Sequence, residues 1–293
     1  MRVNRKFLVA AVVCTTAVAG LAGCGGDDGK KASDAKAKPS APSKPADPFA
    51  GMTADAIADK AVTATKAATA FKMTGEGTSD GEHMRLDLTL NRVGTCSGKI
   101  AMKGGTAEVV KVDNKSFYMK GDERFYRAMA KEDGTPKRQA DAMVEILKGR
   151  WMKMPVSAVS GKSKKGGKAP GDDLATMCDI GAFIQSLDED KSERTGMTRG
   201  ADTVVAGVPA IPVTKKKAEG GTLTMYVSKK DPGYLLKVDD QDGTDPGVVT
   251  FSDYNKPATI TAPPADQIID LEKMGMKPGA GGSGSGGTDE LTA

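Results

Sequence analysis

Cys24 closes the run Leu21-Ala22-Gly23-Cys24, after an apolar stretch from Phe7 to Ala19 headed by Arg2, Arg5 and Lys6. Positive head, apolar run, small residues and thiol in that order fit an export signal with a lipid-attachment box. The cations stay with the anionic inner leaflet while the apolar run enters the bilayer. Ala22 and Gly23 pass a narrow peptidase cleft, and the thiol takes a diacylglyceryl group through a thioether. The apolar run is shorter than the roughly 20 residues of a spanning helix, and glycines and aspartates follow it instead of a basic stop-transfer sequence. Residues 1–23 are therefore expected to be a signal peptide, with Cys24 the lipid-attachment residue and the product held on the extracytoplasmic face of the cell membrane. The alternatives are an uncleaved anchor or plain secretion. Two acyl chains are an adequate anchor where one is marginal.

Two further cysteines, Cys96 and Cys178, remain once Cys14 leaves with the signal and Cys24 takes lipid. In an oxidising compartment an even pair is most simply a disulfide, closing a loop of about 80 residues and contributing about 3 to 4.5 kcal/mol. Two free thiols or a metal site are the alternatives; the chain has a single histidine, His83, and no close Cys-x-x-Cys spacing, so no metal ligand is assigned. A Ser-His-Asp arrangement has only His83 to use. It follows Asp80-Gly81-Glu82 at a turn and reads as a surface side chain. There is no phosphate-loop lysine signature and no His-Glu-x-x-His. Asp239, Asp240, Asp242 and Asp245 crowd one strand connection but lack the spacing and closing glutamate of an EF-hand, which makes them a solvated acidic turn. Lys215-Lys216-Lys217 has no interleaved aromatics. Gly161 to Gly171 reads as a mobile basic loop. No catalytic residue and no cofactor are expected, so the protein is not expected to be an enzyme.

Charge points the same way. The chain carries 42 basic and 38 acidic residues. Loss of Arg2, Arg5 and Lys6 with the signal leaves 39 against 38, a net charge of about plus one that gives no basis for a nucleic-acid partner. Residues 24–50, which after Cys24 are Gly, Asp, Lys, Ser, Ala and Pro with Phe49 as the only aromatic, bury too little apolar area to offset backbone ordering and are expected to form a disordered lipidated tether. Residues 278–293, rich in Gly and Ser, form a disordered tail. One domain, 51–277, lies between them, expected as a monomer.

The elements of that domain follow from its periodicity. Thr53 caps a helix that repeats Ile57, Ala61, Ala64 and Ala68. The period then falls to two: a strand from Phe71 turns near Ser79-Asp80-Gly81, and Met84, Leu86, Leu88 and Leu90 alternate with polar residues. Gly98 to Lys103 and a hairpin about Asp113-Asn114-Lys115 continue the meander. Pro136 opens a helix presenting Ala140, Met143, Val144 and Leu147, and Trp151 to Pro155 is extended. Leu174 to Leu187 reads as helical. Strands return at Thr203 to Ala206, Ala210 to Thr214, Leu223 to Val227, Tyr234 to Val238 and Val249 to Tyr254. The fold class expected is α+β, with about 8–11 antiparallel strands. A sheet of that size tends to curl.

Leu21-Ala22-Gly23-Cys24, Gly94-Thr95-Cys96-Ser97-Gly98, Gly149-Arg150-Trp151-Met152-Lys153-Met154-Pro155, Val205-Ala206-Gly207-Val208-Pro209-Ala210, Tyr226-Val227, Pro232-Gly233-Tyr234-Leu235-Leu236 and Phe251-Ser252-Asp253-Tyr254 carry a resemblance. The chain resembles actinobacterial, Streptomyces-like lipoproteins, and its domain is similar to the mycobacterial LppX/LprG group with its Lol-type lipoprotein-carrier fold. The resemblance implies a strongly curved antiparallel half-barrel with helices covering the concave face and room for acyl chains beneath them. It carries over no catalytic motif.

Fifteen methionines against 4% aromatics fit an adaptable apolar surface as well as an ordinary core. The candidate lining of an acyl-chain cavity is Met84, Leu86, Leu88, Phe117, Met119, Met143, Leu147, Trp151, Leu223 and Met225. The expected function is non-catalytic binding or transfer of a lipid, lipoglycan or other amphiphile. The alternative is a structural or signalling lipoprotein with a filled core and a protein partner.

Overall fold

The computed structural model describes residues 47–79, 81–132, 134–159, 178, 180–181, 194–218, 220–242, 246–271 and 273. The signal peptide, Cys24, nearly all of the tether, Gly161 to Gly171, most of the Leu174 to Leu187 segment, Asp245 and the tail lie outside them.

Helix α1 (Ala54–Ala67) begins where Thr53 Oγ1 accepts from the Ala56 N–H at 3.2 Å, and Asp55 sits in its first turn. Its face of Ile57, Ala58, Ala61, Val62 and Ala64 is buried, as the i, i+3, i+4 spacing requires. Strands β1 (Ala70–Ser79), β2 (Glu82–Asn91), β3 (Cys96–Met102), β4 (Gly105–Lys111) and β5 (Ser116–Gly121) form an antiparallel meander. Helices α2 (Glu123–Glu132) and α3 (Lys137–Leu147) pack on one another, and α2 rests on β4 and β5. Strand β6 (Trp151–Pro155) pairs with β5. After β7 (Thr198–Arg199) and β8 (Thr203–Val205), the strands β9 (Val208–Lys216), β10 (Thr222–Ser228), β11 (Leu235–Gln241) and β12 (Gly247–Ser252) make a second meander under α1. Strand β13 (Ile268–Asp270) runs parallel to β6.

All thirteen strands belong to one sheet, ordered β13-β6-β5-β4-β3-β2-β1-β12-β11-β10-β9-β7, with β8 beside β9. β1 pairs with β12, so the two meanders meet in the middle of the sheet. This order corrects the expected half-barrel of 8–11 strands. The sheet is open and not curled, it has more strands, and among the described residues its edge strands β13 and β7 pair with nothing across a seam. The curling tendency weighs all strands alike. Here the outermost ones are two or three residues long and add little to the strain that closure would relieve. The described helices therefore cover parts of one flat-running face, not a concave interior.

The apolar face carries a single core that runs from Phe49, Ile57 and Val62 through Phe71, Leu88, Ile100 and Phe117 to Val213, Val227 and Phe251. Phe71 packs edge-on to Phe251 at 5.8 Å between ring centres. The opposite face is wet, with ion pairs such as Lys72–Asp87 and Arg85–Glu76, each at 3.0 Å. One satellite cluster interrupts it: Val110, Tyr118 and Trp151, joined by Ile260 and Ile268.

Candidate functional site

Burial on the apolar face falls along the strands. At the end where β1 begins, Phe71, Leu90 and Cys96 are fully buried. Two residues further along β1, Met73 and Leu88 lie side by side, and both are buried. One more step reaches the row Met225, Val238, Val249, Gly75, Leu86, Ile100 and Ala107, fixed by the pairings of β10, β11, β12, β1, β2, β3 and β4. Met225 is buried toward α1, and Ile100 and Ala107 toward α2; Val238, Val249, Gly75 and Leu86 between them are only half-buried. The last row, Leu223, Asp240, Gly247, Gly77, Met84 and Met102, is half-buried throughout.

Among the described residues α1 covers β9 to β11 and α2 covers β4 and β5. Between them, over β12, β1 and β2, the described residues of the apolar face in these last two rows are only half-buried, and this strip is the trough. Three glycines form its floor. A Cβ at Gly75 would lie 2.8 Å from the Val248 carbonyl oxygen, and one at Gly77 would lie 3.0 Å from Gly247 Cα. The trough is thus low where the strands approach closely, with Leu86, Met84 and Val249 as its side walls.

The open end of the trough is polar. Asp240 pairs with Lys217 and keeps one carboxylate oxygen, Oδ1, buried without a hydrogen-bond partner. A depression of about 380 Å³ at this end opens mainly on the wet face, among Glu76, Thr78, His83, Asp239 and Val248, and reaches Gly77, Asp240 and Gly247 at the strand ends. His83 is exposed. Asp239 points to the wet face, where Lys237 Nζ donates to it at 2.6 Å. A second depression, of about 420 Å³, lies on that wet face among Thr74, Arg85, Asp87 and Lys99.

The ten candidate lining residues divide three ways. Leu88, Phe117, Met119, Leu147 and Met225 are buried in the main core and pack against the protein itself. Met84, Leu86, Met143 and Leu223 are half-buried; the first two and Leu223 border the trough, and Met143 lies on α3 against the core. Trp151 is on the other side of the sheet, with Lys120 Nζ 4.8 Å from its ring centre. Val238, Val249 and Met102 also border the trough and were legible only as strand residues. Their placement depends on the β1–β12 pairing, which joins residues about 175 positions apart and leaves no mark on local periodicity.

Cys96 and Cys178 are joined by a disulfide, with Cα atoms 5.2 Å apart, and both are buried in the core. The segment Gly77-Thr78-Ser79-Asp80-Gly81 has the spacing of a nucleophile elbow, but it spans the end of β1 and the turn into β2. An elbow requires a strand-to-helix turn, whereas β1 is followed along the chain by strand β2. Among the described residues no three acidic, cysteine or histidine side chains converge on a metal position.

The described domain is thus of the α+β class, with one open, almost wholly antiparallel sheet and helices on a single face. No family model matches the sequence, and no curated protein matches it. Solved structures do show a likeness. The chain is similar to LprF from Mycobacterium bovis, with 14% identity and a TM-score of 0.43 over 72% of this chain and 96% of that one. It is similar to the Mycobacterium tuberculosis lipoprotein LppX, with 12% identity and a TM-score of 0.46 over 71% and 97%. Pseudomonas aeruginosa MucB, in its structure with MucA, is similar at 15% identity and a TM-score of 0.30 over 73% and 59%.

Proposed function

We propose that the protein is a lipid-anchored, extracytoplasmic, non-catalytic binder of an amphiphile. The carrying observation is the apolar trough over β12, β1 and β2, bordered by Leu86, Met84, Val249 and Leu223 and ending at the ion pair of Lys217 and Asp240. An acyl chain laid along the trough covers side chains that the helices leave half-exposed. Each methylene taken out of water contributes about 0.8 kcal/mol, so a modest contact length suffices without a precise polar code. A lipid or lipoglycan headgroup meets Lys217 and its neighbours at the open end. Sequence supports the anchor through Leu21-Ala22-Gly23-Cys24.

Two measurements test this. Mass spectrometry of the membrane fraction is expected to show a mature N-terminus at a lipid-modified Cys24, and Cys24→Ala is expected to release the protein. Organic extraction of purified protein is expected to yield near-stoichiometric lipid. Leu86→Gln is expected to reduce the yield several-fold while the protein stays folded, because Leu86 is half-exposed where Leu88 is fully buried. A protein reproducibly free of lipid would leave the second reading, a scaffold with a filled core. Burial of half of the candidate lining residues in that core favours it.

A further inference from the structure

Among the described residues only three large apolar side chains are exposed: Val93 at 75%, Val204 at 63% and Ile146 at 47%. The first two share one end of the sheet. Val93 lies in the turn between β2 and β3, whose ends Asn91 and Cys96 stand in line with Ala70 at the start of β1. Val204 lies in the β8–β9 hairpin, which extends past the rest of the sheet at that same end. The pairings Val204↔Pro209 and Val205↔Val208 continue β9 beyond Ala210, the partner of Ser228, the last residue of β10. Ala206 and Gly207 both have positive φ, 47° and 79°, as a two-residue turn that follows the twist of its strands demands. The tip Val204-Val205-Ala206-Gly207-Val208 carries no charge.

Asp47 also lies at this end, beside Arg199 and Lys229. Asp47 pairs with Arg199, which directly precedes the hairpin, and Arg199 Nη1 donates to the Phe49 carbonyl at 3.4 Å. Twenty-two residues separate Asp47 from Cys24. The acidic groups nearby are mostly engaged: Asp47 by Arg199, Asp202 by Lys229, Asp253 by Lys256, and Asp113 by the N–H groups of Lys115 and Ser116. Asp231 is exposed among them, as are Arg92, Lys115 and Lys230.

We infer that this end, with the β8–β9 hairpin and the Val93 turn as its two apolar feet, is the surface the domain lays on a lipid bilayer. The inference rests on the lipid anchor proposed above. By strand spacing the feet stand about 29 Å apart, six strand spacings from β2 to β8, which lies beyond β9. Two separated contacts fix the domain's axis where one would let it swivel. The partner is a bilayer and not a protein groove because the apolar groups are small, separated and set among cations, which suits shallow entry at headgroup depth. The open end of the trough then faces away from the membrane.

The test uses the mature chain from residue 24 with Cys24→Ser, held by an N-terminal histidine tag on vesicles of phosphatidylcholine and phosphatidylglycerol with a nickel-chelating lipid. The orientation readout is thereby independent of whether the natural Cys24 carries lipid, which flotation of the acylated chain decides separately. With Cys96 and Cys178 bonded, Val93→Cys, Val204→Cys or His83→Cys each supplies one thiol for an environment-sensitive dye. His83 is exposed at the opposite end, opposite Thr78. Quenching by bromine-labelled acyl chains is expected to be at least about twofold stronger at positions 93 and 204 than at 83, given headgroup-depth entry. Equal quenching at all three positions, or stronger quenching at 83, would overturn the inference. So would absence of quenching at both 93 and 204.

Discussion

Tyr254 shows how one side chain ties the helix layer to the sheet. Its hydroxyl donates to the Leu235 carbonyl at 2.6 Å, and the Leu235 N–H donates to Thr65 Oγ1, fully buried on α1, at 3.1 Å. Its ring stacks on Tyr234 at 4.1 Å. Burial pushes the Tyr254 hydroxyl well above its ordinary value, with the hydrogen bond to Thr65 opposing the shift. A raised native pKa means that the unfolded chain releases this proton first as pH rises. The stabilisation is complete below about pH 10, the unfolded value, and falls above it. Urea unfolding midpoints are therefore expected to drop more steeply above pH 10 in the wild type than in Tyr254→Phe. At neutral pH the substitution is expected to cost about 1 to 3 kcal/mol, because it leaves the Leu235 carbonyl without its donor. At this scale the sequence was legible in alternation and less so in exposure. Met84, Leu86, Leu88 and Leu90 do share a face, but the fall from buried Leu88 to half-buried Leu86 depends on where the helices stop.

Helix α2 is the element that periodicity missed, and its signals are short-range. Asp122 Oδ1 accepts from the Phe125 N–H at 2.7 Å as a cap, and Phe125, Tyr126 and Ala130 form the buried face of only ten residues. What fixes it is the sheet beneath. A Cβ at Gly105 would lie 2.1 Å from the Phe125 backbone nitrogen, and one at Gly121 would lie 2.6 Å from Phe125 Cδ1. Helix and strands touch through glycine. Gly105→Ala cannot be absorbed by a rotamer change, since the clash is with backbone, and is expected to cost about 3 kcal/mol or more, in the range of severe overpacking. Gly121→Ala meets only a ring edge and the Tyr126 ring, and is expected to cost less. Chemical denaturation of the two variants checks the order. The long strands and α1 and α3 were legible because each sustains its period; β7 and β13, at two and three residues, are too short to show one.

At the scale of the molecule the sheet keeps two sides with separate tasks. The apolar side holds the core and the trough. The wet side holds one buried patch, where the stretch after β12 brings Ile260 onto Val110, Tyr118 and Trp151 before β13 pairs with β6. Sequence alone gave Trp151 to the cavity, since a single large aromatic in an apolar strand is a natural lining residue. Strand alternation decides otherwise: Met152 pairs with Met119 on the core side, and Trp151, one residue away, points outward. The open edges were likewise hidden, because closure depends on how the outermost strands meet and not on any strand's own pattern. The division makes the chain's one tryptophan a reporter for the wet side alone. Ile260→Asp, which brings a charge against the indole, is expected to shift Trp151 emission to the red and to lower stability by about 1 kcal/mol, the scale of losing a half-buried aliphatic side chain. Lipid yield on extraction is expected to stay at the wild-type level. Conversely, Leu86→Gln is expected to lower lipid yield and leave the emission maximum where it was. A tryptophan shift in step with lipid loading would mean that ligand and Trp151 share a side of the sheet, and the trough over β12, β1 and β2 would not be where the acyl chain lies.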